Sequence, residues 1–89
     1  MKSLRRYWFS LEESTVPDPL NLGCGITAFD CDDAIVLLQE RVIRSNKGRR
    51  IVDFIEDVDV STLDQSHVAP NMGSVLIRGV WFPRGYENK

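Results

Sequence analysis

Residues 20–34, LNLGCGITAFDCDDA, decide how this chain is read. Two glycines flank a cysteine, a short apolar run follows, and an acidic stretch then opens a helical pattern. Such a stretch is either a glycine loop that cradles a phosphate or a strand running into a capped helix. A dinucleotide-binding loop lies between a buried strand and a helix, and it spends three glycines on the turn, the ligand approach and the packing. Here Gly23 and Gly25 precede the apolar Ile26-Thr27-Ala28-Phe29 run and follow a proline-rich loop. Their expected role is a bulge or a close backbone approach at a strand entry.

The strand that follows puts Ile26 and Ala28 on one face, Thr27 and Phe29 on the other. Asp30 is the expected N-cap, and Asp32 and Asp33 in the first turn complement the helix dipole. Ala34, Leu37, Leu38 and Val42 recur at helical spacing, Ile35 widens the stripe, and Gln39, Glu40, Arg41 and Arg44 fall largely outside it. The helix is expected to end near residues 46–48.

Upstream, residues 5–11 (RRYWFSL) suit a short aromatic strand, with Tyr7, Phe9 and Leu11 opposed to Arg6, Trp8 and Ser10. Pro17 and Pro19 mark the loop after it. Downstream, residues 50–60 read as a third strand with imperfect alternation. Val52, Phe54 and Glu56 share a face, and a bulge or break is expected near Asp53. Residues 58–60 suggest a further extended piece before a capping-type turn. Residues 65–73 read as a loop, and residues 74–82 (SVLIRGVWF) as a last strand closed by Pro83.

The expected fold is therefore α+β, a single domain over residues 1–89. A small, mostly antiparallel sheet of about four strands, in the order β-β-α-β-β, carries one main helix on one face. One helix cannot cover both faces. The opposite face must be exposed, covered by loops, or buried in a partner.

At 89 residues the chain holds one small core. Its 43% hydrophobic and 27% charged content is that of an ordinary globular protein. The apolar stretch near Tyr7 is too short for a signal peptide, and no run approaches the ~20 residues that span a bilayer, so a cytoplasmic location without membrane contact is expected. Charge alternates in blocks: +3 over residues 1–11, −6 over 12–33, +4 over 34–50, −5 over 51–64 and +2 over 65–89. Basic blocks that fold together would suit a phosphate or an acidic partner but fall short of a nucleic-acid footprint.

Leu22-Gly23-Cys24-Gly25 resembles the LGCG motif of methyltransferases that use S-adenosylmethionine. The order of glycine and strand is wrong for that motif, and one helix does not supply the several βαβ units such folds need. No cofactor is expected. Cys24, Cys31, Asp64 and His67 match no paired-ligand spacing, so no metal is expected, and the two cysteines read as small buried residues rather than a disulfide. His67, the only histidine, sits in a turn-rich loop. Asp53, Glu56, Asp57, Asp59 and Asp64 read as a solvated face. No catalytic residue is assigned, and an enzyme ranks third among the functions.

Strand aromatics such as Tyr7, Trp8, Phe9, Trp81 and Phe82 can stack bases, but the RNA-binding signature is missing and the balance is acidic, so nucleic acid is not expected. The leading expectation is a non-enzymatic protein-binding or inhibitory module, of the immunity or anti-defence type or a homodimeric adaptor. Its size and composition are those of short free-standing bacterial or phage-type proteins. Trp, Tyr and Arg dominate interface hot spots. Arg5, Arg6, Trp8, Arg78, Trp81, Arg84 and Tyr86 cluster in the first and last strands, which would form one aromatic–Arg surface if they were neighbours. The alternative is a small-ligand or nucleotide binder that uses the His67–Asn71 loop and basic residues at a pocket or dimer interface. Arg6, Trp8, His67, Asn71, Arg78 and Trp81 are the candidate binding residues.

Overall fold

Side-chain alternation in RRYWFSL produces strand β1, Arg5–Leu11, and sets the two faces of the sheet. Tyr7, Phe9 and Leu11 are buried on one face and Trp8 on the other. The remaining elements are β2 (Cys24–Ala28), α1 (Cys31–Leu38), β3 (Ile51–Glu56) and β4 (Gly79–Phe82). The computed structural model describes residues 3–15, 18–43 and 50–84. Within them the strands form one antiparallel open sheet in the order β3-β1-β2-β4, carrying one main helix.

Asp30 caps α1 as its sequence context suggests. Its carboxylate accepts the Asp33 N–H at 2.8 Å, and Asp33 in return accepts the Phe29 N–H at 3.1 Å. Ala34, Leu37 and Leu38, with Val42 from a π-helical turn at Gln39–Ile43, close over Tyr7, Phe9, Leu11, Cys24, Ile26 and Ala28. The expected helix end near residues 46–48 lies outside the described residues, as do Arg44, Pro17 and Tyr86.

The order of strands explains how both faces are covered. From β2, α1 carries the chain across one face to β3, on the far side of β1. From β3, residues 57–78 return across the opposite face to β4 at the other edge. That return bears two 3-10 turns, Val60–Thr62 and Ala69–Asn71, and sets Val58 and Val68 against Trp8, Trp81 and Phe82 in a second core. Three hydrogen bonds fasten it to the sheet. The Val58 N–H donates to the Arg6 carbonyl at 3.1 Å, and the Gly73 N–H to the Trp81 carbonyl at 2.6 Å. The hydroxyl of buried Thr27 donates to the Val75 carbonyl at 2.7 Å. The face left open by the helix is thus closed by a loop, one of the three outcomes the sequence allowed.

Two element boundaries differ from expectation. The last strand runs only from Gly79 to Phe82, not from residue 74, because its partner β2 stops at Ala28 where Asp30 turns the chain into α1. Gly79, at φ 142°, begins the strand in a conformation that side-chain-bearing residues rarely adopt. The second difference follows Asp57 (φ 56°), which ends β3. Asp59 then caps the 3-10 turn through the Ser61 N–H at 3.0 Å, in place of an extended piece over 58–60. The irregularity expected near Asp53 is present: Ser10 pairs with Asp53 and Leu11 with Ile51, leaving Val52 as the extra residue of a bulge.

Candidate functional site

Gly23 and Gly25 form a floor beneath two indoles. A Cβ on Gly25 would overlap the Trp81 ring, and one on Gly23 would overlap the Trp8 ring. Gly25 pairs directly with Trp8 on β1 and with Phe82 on β4, so the side chain missing from β2 lets the flanking aromatics meet across it. The ring centroids of Trp8 and Trp81 stand 6.0 Å apart, those of Trp8 and Phe82 5.5 Å. The glycines open the sheet to packing and leave no phosphate cradle.

This arrangement places the candidate residues as follows. Trp8 and Trp81 are 7% and 0% exposed and belong to the second core. β1 and β4 are separated by β2, so no joint aromatic–Arg surface forms from their outer faces. Arg6 is half-buried in β1. His67 and Asn71 stand exposed in a turn that bonds to itself: Asp64 accepts the Ser66 and His67 N–H groups at 2.8 and 3.1 Å, and its other oxygen lies 2.9 Å from His67 Nδ1. The Asn71 amide donates to the His67 carbonyl at 2.9 Å. The His67 hydrogen bond, followed by the backbone donors, holds the Asp64 carboxyl below the usual range. Arg78 lies apart from that loop, with its Nε donating to Asp33 at 2.9 Å and its guanidinium 5.7 Å from the Phe29 ring centroid.

Neither thiol is activated. Burial pushes Cys24 far above the ordinary thiol range. Burial, then Asp32, Glu56 and Asp30, raises Cys31. Both are free cysteines. Among the described residues, no three His, Cys, Asp or Glu side chains gather where they could hold a metal ion, and no helix is long and apolar enough to cross a membrane.

Two surface features stand out instead. The first is the outer edge of the sheet. Five of the six β3 residues are exposed, and Val52, Phe54 and Ile55 are 69%, 44% and 52% accessible. Phe54 stacks on Phe9 at 5.9 Å, while Ile55 pairs with Trp8 and stands on the other face of the strand. The second is a cleft of about 700 Å³ at the opposite end of the strand order, lined by Arg41, Arg78 and Arg84 beside Ser74, Ile77 and Gly79. The broken alternation of residues 50–60 was the only sequence signal for the β3 edge. Nothing local announced the cleft, because its arginines come from three separate segments.

No protein-family model matches the chain, and no similar curated protein or solved structure is found for it. The class defined is that of a small α+β domain, an antiparallel sheet between one helix and a structured loop.

Proposed function

We propose that this chain is a non-enzymatic, cytoplasmic protein-binding module that works through the outer edge of β3. Its partner contributes an extended segment with apolar and basic residues in alternation. The observation that carries this reading is the exposure of Val52, Phe54 and Ile55 on a strand that, among the described residues, stands at the edge of the sheet. An edge strand offers backbone groups for strand addition, and alternate side chains then supply specificity.

Charge selects the partner's chemistry. The strand carries Asp53 and Glu56, the latter paired with Arg5 at 3.2 Å, so a second copy of the strand would set Asp53 near another acid, whereas a basic segment is complementary. An inhibitory role of the immunity or anti-defence type is one form of this function, since pairing with a partner's strand would mask it. The two unpaired cysteines agree with a reducing compartment.

The test is titration of the full chain with a synthetic peptide of alternating valine and lysine, and with its valine–glutamate counterpart. The lysine peptide should bind, the glutamate peptide should not, and Ile55→Lys should weaken binding at least about tenfold, the loss of one well-buried apolar anchor. Equal binding of both peptides, or a wild-type dimer held together through β3, would overturn the reading.

A further inference from the structure

We propose that the cleft beside β4 is a binding site for the phosphate monoester of a small soluble molecule. This goes beyond the protein-binding reading and uses the opposite edge of the sheet. Three guanidiniums, from Arg41, Arg78 and Arg84, line the cleft, and among the described residues no carboxylate is part of its lining. Its volume of about 700 Å³ falls in the range of small-molecule sites. A phosphate monoester carries close to two negative charges at neutral pH and has oxygens to spare for several forked donors.

The three arginines arrive by different routes, and two of them are already positioned. Arg78 is anchored by the Asp33 carboxylate, whose hydrogen bonds raise its pKa further, with Glu40 a smaller influence in the same direction. Its guanidinium also lies near the Phe29 ring. That fork uses Nε and Nη2 and leaves Nη1 outside the Asp33 pair. Arg41 comes from the π-helical turn after α1, and its Nη1 would stand 3.1 Å from a Cβ at position 79. Gly79 therefore serves twice, supplying the positive φ that starts β4 and leaving room for the Arg41 side chain over the backbone. Arg84 is exposed and makes no ion pair among the described residues. Side chains fixed before binding lose less entropy when a ligand arrives.

The walls add a second element of recognition. Ser74 contributes a hydroxyl, Gly73 and Gly79 bring bare backbone to the rim, and exposed Ile77 offers an apolar surface. Phosphoryl oxygens on the guanidiniums with an apolar ring against Ile77 describe a nucleoside monophosphate or a molecule of similar build. The His67–Asn71 loop plays no part in this site.

Calorimetry on the full chain tests it with four probes: adenosine 5′-monophosphate, adenosine, inorganic phosphate and sodium chloride at matched ionic strength. The monophosphate should bind about tenfold or more tightly than adenosine, the strength of a charge-assisted hydrogen bond, and inorganic phosphate should compete with it. Arg84→Met should weaken the monophosphate about tenfold without moving the thermal midpoint, and Arg84→Lys should restore part of the loss. Equal binding of adenosine and its monophosphate would overturn the proposal. So would a response that sodium chloride reproduces, an unchanged affinity in Arg84→Met, or a preference for a single-stranded oligonucleotide at equal phosphate concentration.

Discussion

Gly25 has no unusual backbone demand, yet the Trp81 ring occupies the space where its Cβ would stand. Overpacking at such a site costs about 2 kcal/mol, because neither the strand nor a fully buried indole can move away freely. Gly25→Ala should lose about that much stability in urea unfolding and alter the near-ultraviolet tryptophan signal. A variant as stable as the parent would mean that the indole packs elsewhere. Tyr7 gives the opposite expectation. Its hydroxyl is buried and finds no hydrogen-bond partner among the described residues, and burial, then Glu56, pushes its pKa upward. Tyr7→Phe removes an unsatisfied polar group, so it should be neutral or stabilising by up to about 1 kcal/mol. A clear loss of stability would reveal a partner for that oxygen. The position of the glycines before the apolar run marked a strand entry, and β2 begins there at Cys24. Their actual partners were not readable, because Trp8 and Trp81 meet only after β1, β2 and β4 have paired.

At the scale of elements, α1 and β1 were legible because each carries a complete local signal: a cap with a helical stripe in one case, strict alternation in the other. β3 and β4 were less so. Residues 74–78 are apolar enough for a strand, but a strand also needs a neighbour, and β2 has ended by then. In β3 the Asp53 carboxylate accepts the Phe54 N–H at 2.8 Å, taking an amide of the edge strand for itself. Natural sheets guard open edges with charges placed in this way. Asp53→Val should therefore promote self-association, seen as concentration-dependent sedimentation at concentrations where the parent stays monomeric. Unchanged sedimentation would deny the guard.

The return segment has a pH signature. Asp59, held down by its Ser61 hydrogen bond, and Asp64, held down first by His67, both have carboxyls below the ordinary value of 3.8. Groups lowered in the folded chain stabilise it above the unfolded pKa, and that contribution disappears as pH falls through the folded one. The amide signals of Ser61 and Ser66 should titrate with midpoints below 3.8, and Asp64→Asn should abolish the Ser66 transition. Midpoints at or above 3.8 would contradict the bonding seen in these turns.

For the whole molecule, the strand order β3-β1-β2-β4 makes each long connection cross one face, so the helix and the 57–78 segment each cover a core. This topology buries the aromatics that looked most like contact residues and moves the open surface to the two edges. One edge is apolar and acidic at β3, the other cationic around β4. The sequence carried the ingredients of both edges, including the acidic block over 51–64 and the scattered arginines. It did not carry the strand order, which depends on contacts far apart in the chain. Residue-resolved hydrogen exchange, with and without the valine–lysine peptide, tests the working edge most directly. Amides within Ile51–Glu56 should gain protection on binding while those of Trp8 and Trp81, already buried, stay unchanged. Protection that appears elsewhere and leaves β3 untouched would contradict the assignment of β3 as the binding edge.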